Sequence, residues 1–202
     1  MERAGQGVVR SLLANWPDLS KGSTTFVVLC GPGNNGGDGF VIARHLKAEG
    51  FETEVYFYGN KLRLSDDARF NHDQWEALSG KITNLGCPDV SSSGKDALDA
   101  VSLKMDTLVI VDALFGIGLS RPIKALSPVL ETLQSRRANH PFPQTRLVAV
   151  DVPSGLADQG VVGPDLELVF PADLTVTFHQ LKKAHLAAGH LCGKIEVVDI
   201  GL

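Results

Sequence analysis

A run of nine residues, Gly31–Gly39, constrains the fold more than any other part of the sequence, because five of the nine are glycine. The apolar segment before it, Phe26–Cys30, is typical of a buried parallel strand, and Phe40–Leu46 after it shows helical spacing of apolar side chains. The run is therefore predicted to be a strand-to-helix turn. Glycine lets a ligand approach the backbone, and a helix N-terminus offers free N–H groups to an anion, usually phosphate.

The glycine run matches the dinucleotide-binding spacing G-x-G-x-x-G at Gly31, Gly33 and Gly36, but the rest of that fingerprint is missing. The fingerprint requires an acidic residue about 20 positions further on. Here the second predicted strand, Glu54–Phe57, is followed by Tyr-Gly-Asn, and no Gly-Lys-Ser/Thr follows the run as in a triphosphate P-loop. An ordinary dehydrogenase or kinase is therefore disfavoured. A purely structural turn without a ligand is the alternative that remains.

Length and charge indicate the class of protein. With 202 residues the chain suits one α/β domain, and a formal net charge of −4 gives no reason to expect nucleic acid or a membrane as partner. The three cysteines are widely spaced, which is typical of reduced thiols in a cytoplasmic protein. The sequence contains no signal peptide, but it opens inside a predicted helix, so an upstream targeting segment, for example a mitochondrial one, is compatible with it.

Strands alternate with helices along the chain. The predicted helices are 2–16, the segment from the glycine run to Gly50, 65–78 with Ser65 as N-cap, 95–101 after a loop at 90–94, and 123–136 before a loop at 138–145. The predicted strands are 26–30, 54–57, 81–85, 107–111, 147–150, 174–178 and 195–198. This alternation predicts right-handed crossovers and one three-layer α/β/α domain with a mainly parallel sheet.

The residues that follow the strands are the candidates for a site, because open α/β sheets bind ligands beyond the carboxyl ends of their strands. Asp112 and Asp151 each come directly after a predicted buried strand, and Asp38 lies in the glycine run. The two strand-end aspartates are either anchors of their own loops or members, with Asp38, of one pocket. Carboxylates that share a pocket need compensation, either from a bound hard cation or from a raised pKa on a catalytic acid/base.

The segment after Asp112 has the features of a second anion site. Gly116-Ile-Gly118 allows close approach to the backbone, and Ser120 and Arg121 supply a hydroxyl and a cation just before a predicted helix. Two glycine-bearing anion sites in one domain indicate a pyrophosphate or a long nucleotide as ligand.

Three motifs together resemble the YjeF N-terminal domain family: the glycine run with its Asn-Asn pair, the segment Asp112–Gly118, and Asp151-Val-Pro-Ser-Gly155. Met1–Gly5, and Thr177-Phe178 with Lys182, also resemble family segments, so the likeness spans nearly the whole chain. The resemblance implies a Rossmann-like domain over 1–202, often a homodimer, and an additional family helix before the position of Met1. It also implies an NAD(P)H-hydrate epimerase, which interconverts the R and S forms of hydrated NADH and NADPH (NADHX and NADPHX) for an NAD(P)H-hydrate dehydratase.

By position, the resemblance also implies roles for individual residues. The substrate would be bound by Asn34, Asn35, Gly36, Gly37, Asp38, Gly116, Ile117, Gly118, Leu119, Ser120, Arg121, Pro122 and Asp151. One potassium ion per subunit would be held by Asn35, Asp112 and Ser154. Asp151 is the candidate catalytic acid/base, since epimerisation at the hydroxyl-bearing ring carbon needs proton transfer or ring opening and closure. The alternative is a non-catalytic member that serves as a scaffold or nucleotide-binding module.

A few residues outside these motifs have two interpretations. Lys182 is either an electrostatic helper of the site or a solvated surface lysine. The spacing of His179, His185 and His190 suits no familiar zinc motif, so they are interpreted as loop or surface residues, with His179 near the pocket. Trp16 and Trp75 are interpreted as packing residues.

Overall fold

The computed structural model describes residues 1–87, 107–118, 126–141, 144–156 and 169–201. Its helices are α1 (Glu2–Asn15), α2 (Asn34–Ala48), α3 (Asp66–Ala77), α4 (Ser127–Asn139) and α5 (Lys183–Ala187), with 3-10 turns at Lys61–Arg63 and Gly189–Leu191. Its strands are β1 (Thr24–Cys30), β2 (Glu52–Phe57), β3 (Ile82–Asn84), β4 (Thr107–Ala113), β5 (Thr145–Val150), β6 (Leu174–Phe178) and β7 (Lys194–Val198). Within these ranges, no helix is long and apolar enough to cross a membrane.

The described strands form one sheet in the order β3-β2-β1-β4-β5-β6-β7, and every pairing in it is parallel. The strand order reverses between β1 and β4, which is where a ligand crevice is expected in an open α/β sheet. The prediction of a Rossmann-like three-layer fold with a mainly parallel sheet is confirmed.

The alternation of side chains along β1 divides the apolar core into two layers. Phe26, Val28 and Cys30 pack with residues of α1, α2 and α3, whereas Val27 and Leu29 pack with residues of α4 on the opposite face of the sheet. A strand buried on both faces is a continuous apolar run in sequence, which is why β1 and β4 were predictable. Both tryptophans pack as predicted, since Trp75 is buried in the first layer and Trp16 lies at its edge.

Two boundaries differ from the prediction in ways that affect the site. The helix α2 begins at Asn34, so most of the glycine run is helical and only its first residues form the turn. A Cβ on Gly39 would lie 2.8 Å from Cys30 Sγ and 2.9 Å from Ala113 Cβ, so glycine here lets α2 pack closely on β1 and β4. The strand β4 continues to Ala113, which places Asp112 inside the strand instead of directly after it. By contrast, Asp151 does follow β5 directly.

The remaining differences concern the second half of the chain. The helix α4 extends three residues past its predicted end and β5 begins at Thr145, so the predicted loop 138–145 is shorter. The short helix α5 was not predicted, because five residues contain too little of a helical period. The predicted loop 90–94, the helix 95–101 and positions 123–125 lie outside the described residues. Ser65 is the N-cap of α3 as predicted, and its Oγ accepts the Ala68 N–H at 3.4 Å.

Gly31 brings the ends of β1 and β4 into contact. Its N–H donates to the Ala113 carbonyl at 3.0 Å, and a Cβ at this position would lie 1.7 Å from the Leu114 carbonyl oxygen. Any larger residue would push the two backbones apart. The glycine run and the segment after β4 are therefore held side by side at the point where the strand order reverses.

Polar side chains connect α1 to the edge strand β7. The carboxylate of Glu196 accepts hydrogen bonds from the Ser11 hydroxyl and from Asn15 Nδ2 at 2.9 Å, and it lies 2.8 Å from Lys194 Nζ. Burial by itself would raise the pKa of Glu196, but the hydrogen bonds from Lys194, Ser11 and Asn15 outweigh it and lower the pKa to about 2.

Replacing Glu196 by Gln should lower the free energy of unfolding at pH 7 by about 1 kcal/mol, a value reduced by the partial exposure of the site. Because folding lowers the pKa from 4.5 to about 2, the stabilisation is complete above pH 4.5 and is lost as the pH falls towards 2. Urea unfolding at several pH values should show the difference between wild type and Glu196→Gln shrinking below pH 4.5. Glu52→Gln, at an exposed position, is the control. A difference that does not change with pH would contradict this account of Glu196.

Candidate active site

Asp112 connects the segments that follow β4 and β5. Its Oδ1 accepts hydrogen bonds from the Leu114 N–H at 3.2 Å and the Ser154 hydroxyl at 2.6 Å, and its Oδ2 accepts the Ser154 N–H at 2.8 Å. The Phe115 N–H in turn donates to Ser154 Oγ at 3.0 Å. Asp112 thus anchors a neighbouring loop as well as its own.

The Asp112 carboxylate is buried among neutral hydrogen-bond donors. The residue is 3% exposed, and burial raises the pKa of its carboxyl, while the hydrogen bonds from Ser154 and Leu114 oppose that rise. All of the donors described around this carboxylate are neutral. A buried carboxylate surrounded by neutral donors is one that a cation would stabilise.

Asp151 is held by a network of side chains from β6 and the segment after it. Its Oδ1 accepts the Thr177 hydroxyl at 3.0 Å and lies 3.0 Å from Lys182 Nζ. The same ammonium donates to Thr177 Oγ1 at 2.9 Å and to the Phe178 carbonyl at 2.6 Å. The Lys182 ammonium thus makes its contacts with groups beside Asp151. They decide between the two interpretations of Lys182, which is a member of the site and not a solvated surface lysine.

The second oxygen of Asp151 faces the other two segments. A Cβ built on Gly116 would lie 3.2 Å from Asp151 Oδ2 and 3.6 Å from Asn35 Oδ1, so residues that follow β1, β4 and β5 meet at this point. Asn35 Nδ2 is buried and has no hydrogen-bond partner among the described residues. A buried donor without a partner is costly, and a ligand oxygen would remove that cost.

Asp38 lies on α2 behind Asn35 and is also buried. Its Oδ1 has no hydrogen-bond partner among the residues that the structure describes. Burial, opposed by the Met1 ammonium and reinforced by the Asp151 carboxylate, raises the pKa of Asp38 to about 7. The Asp151 carboxylate is therefore close enough to Asp38 to affect the pKa of Asp38.

The other predicted binding residues are distributed around this centre. Asn34 begins α2 at the surface, and its Oδ1 accepts the Ser65 hydroxyl at 3.1 Å. Gly36 and Gly37 are buried in the first turn of α2, whereas Ile117 and Gly118 are exposed after β4. Leu119, Ser120, Arg121 and Pro122 lie outside the described residues, so their roles stay predictions.

The interpretation of His185 as a loop or surface residue is wrong. This histidine is 3% exposed and lies in α5, with Nε2 2.8 Å from the Asp151 carbonyl oxygen and Nδ1 3.0 Å from the Lys182 backbone nitrogen. Nothing in the local sequence indicates this contact, which joins positions 34 residues apart. His179 and His190 are exposed, as predicted.

Replacing Asp112 by Asn should destabilise the protein by about 1–3 kcal/mol, because the amide NH₂ would leave one of the donors on Asp112 without an acceptor. In a double-mutant cycle with Ser154→Ala, urea unfolding should give a coupling energy of about 1–2 kcal/mol. Asp199→Asn, at an exposed carboxylate, controls for loss of charge. Additive effects of the two substitutions would show that this contact does not hold the two segments together.

Residues 1–184 match the family described as YjeF-related protein N-terminus. The chain is 46% identical over its whole length to the NAD(P)H-hydrate epimerase of Roseobacter litoralis, of which it covers 88%. It is 40% identical over 92% of its length to the protein of the same name from Rhodobacter capsulatus, of which it covers 79%. It is also 36% identical over its whole length to the Bifunctional NAD(P)H-hydrate repair enzyme Nnr of Methanothermobacter thermautotrophicus, where it spans 36% of the longer protein.

The fold has a counterpart among solved structures. The crystal structure of yeast ynu0 aligns with 98% of this chain and 76% of the yeast chain, with a TM-score of 0.71 and 24% sequence identity. That likeness concerns the fold, whereas the sequence match over residues 1–184 concerns the family. The chain belongs to the YjeF-related protein N-terminus family.

Proposed function

We propose that this protein is an NAD(P)H-hydrate epimerase, which interconverts the R and S forms of NADHX and NADPHX. One observation carries the proposal: the Asp151 carboxylate has one oxygen held by Lys182 and Thr177 and the other directed towards Gly116, where three strand-end segments meet. Relatives that align with nearly the whole chain bear this enzyme's name. A scaffold protein would have no need of this polar arrangement, which argues against the non-catalytic alternative.

The N-terminus of α2 supports binding of the diphosphate. No side chain of the described residues caps this helix, and the space beside the N-cap residue Gly33 is open. The first N–H groups of a helix have no partner within it, and they attract phosphate. Asn35 Nδ2 adds a buried donor beside them. Asp38, with a pKa of about 7, can both accept and donate a hydrogen bond to the substrate near neutral pH.

Asp151 is the group that we assign to proton transfer. If the ring opens, the hydroxyl loses its proton as the bond between its carbon and the ring nitrogen breaks, and the nitrogen gains one. If the hydroxyl leaves as water, it first takes up a proton, and addition of water to the opposite face releases it again. Either route needs one group that takes and returns a proton, and Asp151 Oδ2 is free of the contacts that hold Oδ1. Lys182 and Thr177 orient the carboxylate.

We further propose one potassium ion per subunit, held by oxygens of Asn35, Asp112 and Ser154. A carboxylate, a hydroxyl and an amide carbonyl are oxygen ligands of the kind that hard cations prefer. Asp112 and Ser154 are in direct contact, and Asn35 Oδ1 lies near Gly116 on the adjoining segment. The neutral surroundings of the buried Asp112 carboxylate fit a cation. When bound, the ion would supply positive charge beside Asp112 and would tie the three segments together.

The functional partner in this proposal is an NAD(P)H-hydrate dehydratase, which would consume one epimer and so draw the other through this enzyme. The name of the bifunctional relative, about a third of whose length this chain spans, supports such a pairing. We also propose a homodimer, for which the family resemblance is the support; analytical ultracentrifugation of the purified protein tests it.

Replacing Asp151 by Asn should abolish epimerisation, with a loss of at least about 10²-fold in rate, while substrate affinity changes little. Asn has the same size and tolerates the left-handed backbone found at this position, where φ is 68°. The assay follows the R form in an R/S mixture of NADHX with an excess of an S-specific dehydratase, with and without potassium. Asp66→Asn, at an exposed position, is the control. An unaltered rate would remove Asp151 from the catalytic role.

Replacing Gly116 by Ala should raise the KM for NADHX about tenfold or more, which corresponds to about 1.4 kcal/mol. The added methyl group would lie 3.2 Å from Asp151 Oδ2, in the space that the proposal assigns to the substrate. The melting temperature should fall only slightly, because φ at Gly116 is not among the positive values and the close contact is with the end of one side chain. Gly189→Ala, where a Cβ meets nothing within 4 Å, should leave both quantities unchanged. An unchanged KM in Gly116→Ala would place the substrate elsewhere.

A further inference from the structure

The backbone of Asp151 has a rare conformation. Its φ is 68°, and the Val152 N–H donates to the Val150 carbonyl at 2.9 Å, which closes a three-residue γ-turn centred on Asp151. A γ-turn with positive φ is rare and strained, and strain of this kind persists only where surrounding contacts hold it. On its amino side, Asp151 is held by the bond from its N–H to the Val176 carbonyl at 2.9 Å.

We infer that His185 is a positioning residue of this enzyme. By bridging the backbones of Asp151 and Lys182, it holds the Asp151 carboxylate and the Lys182 ammonium in fixed positions relative to each other. One ring nitrogen lies 2.8 Å from the Asp151 carbonyl oxygen and the other 3.0 Å from the Lys182 backbone nitrogen. The bridge supports the carbonyl side of the strained turn, opposite the bond to β6. The expected effect of the bridge on catalysis rests on the proposed epimerase function, whereas the observed contacts of His185 do not.

The two contacts determine which ring nitrogen carries the proton. A backbone N–H can only donate, so Nδ1 of His185 accepts from Lys182 and bears no hydrogen. The Asp151 carbonyl can only accept, so Nε2 bears the hydrogen and donates. His185 is therefore neutral in this arrangement, and burial favours that form by lowering the pKa of the imidazole.

The bridge closes a ring of contacts around the proposed catalytic group. Lys182 contacts Asp151 through its ammonium, and its own N–H is bonded to His185, which returns to the Asp151 carbonyl. Both partners of the Asp151–Lys182 ion pair are thus held by one imidazole. Without the bond from Nε2 to the Asp151 carbonyl, the carboxylate keeps its chemistry but loses its fixed direction, and small errors in direction reduce catalysis.

A helix cap is the simpler role for His185, and it needs only half of the observed contacts. The bond from the Lys182 N–H to Nδ1 lies at the start of α5 and would serve to cap that helix. The bond from Nε2 to the Asp151 carbonyl, between positions 34 residues apart, is the part that a cap does not require. Substitutions that keep one bond and lose the other distinguish the two roles.

The test compares His185→Asn with His185→Gln. The Asn carbonyl can replace Nδ1 as the acceptor for the Lys182 N–H but is too short to reach the Asp151 carbonyl, whereas the Gln amide NH₂ can replace Nε2 as its donor. In the coupled assay on NADHX, we expect kcat of His185→Asn to fall about tenfold or more with little change in KM, because the reacting group is misplaced and not removed. We expect His185→Gln to retain most of the wild-type kcat. His190→Ala, at an exposed histidine, is the control.

Melting temperatures of all variants are measured beside the kinetics. Equal kcat values for His185→Asn and His185→Gln, or kcat losses that follow the melting temperatures, would reduce His185 to a helix cap and overturn the inference. The wild-type protein supplies a readout that needs no activity: ¹⁵N NMR of the imidazole at pH 7 should show Nδ1 unprotonated and Nε2 protonated. The opposite tautomer would overturn the bridge even if a variant fails to fold. An inactive wild type with the expected tautomer would instead contradict the proposed function alone.

Discussion

Asp112 places a carboxylate inside the sheet, one residue before the end of β4, and Ser154 binds that carboxylate through both its N–H and its hydroxyl. The rest of the candidate site depends on this contact, because Ser154 and Asp151 lie on the same segment after β5. Ser154 also accepts the Phe115 N–H, and Asp151, three residues before Ser154, lies close to Gly116. Gly31 completes the arrangement by keeping the start of the glycine run against Leu114. Three segments are thus positioned by buried strands that are supported on both faces.

The three aspartates of the site have the same chemistry and three different surroundings. Asp112 is buried among neutral donors, Asp151 is ion-paired with Lys182, and Asp38 has a pKa raised to about 7, mainly by burial. Differences of this kind are how a protein gives identical side chains separate tasks. Here they separate a structural anchor that suits a cation from a group assigned to proton transfer and from one suited to hydrogen bonding with the substrate.

Backbone strain occurs where the side chains of the candidate site converge, at Asp151. His179 also has a positive φ, 66°, and the Gln180 N–H donates to the Phe178 carbonyl at 2.7 Å, so a second γ-turn follows β6 beside the one at Asp151. The Phe178 carbonyl accepts the Lys182 ammonium as well. The ends of β5 and β6 are therefore both tightly turned and are joined to each other by polar contacts. Strained turns of this kind persist only where the surrounding structure holds them.

The sequence by itself determined the fold class, because apolar periodicity and turn residues act locally and can be read in windows of a few residues. It also located the described strands to within two residues, the N-cap at Ser65 and the motifs that place the chain in its family. It did not determine the start of α2, because a glycine-rich run looks like a turn in sequence. The reason for glycine at position 39 is its close packing on Cys30 and Ala113, which only the folded core shows. The binding roles of Leu119–Pro122 stay predictions from the sequence.

Only the tertiary structure showed the contacts of Lys182 and His185 with Asp151. Both lie more than 30 positions from Asp151 along the chain. They reach it because the chain after β6 turns back over the end of β5 and forms a helix of five residues, too short to have a recognisable period. A hydrogen bond between a ring nitrogen and a distant backbone carbonyl leaves no pattern in sequence, since any packing that brings the two atoms together can make it.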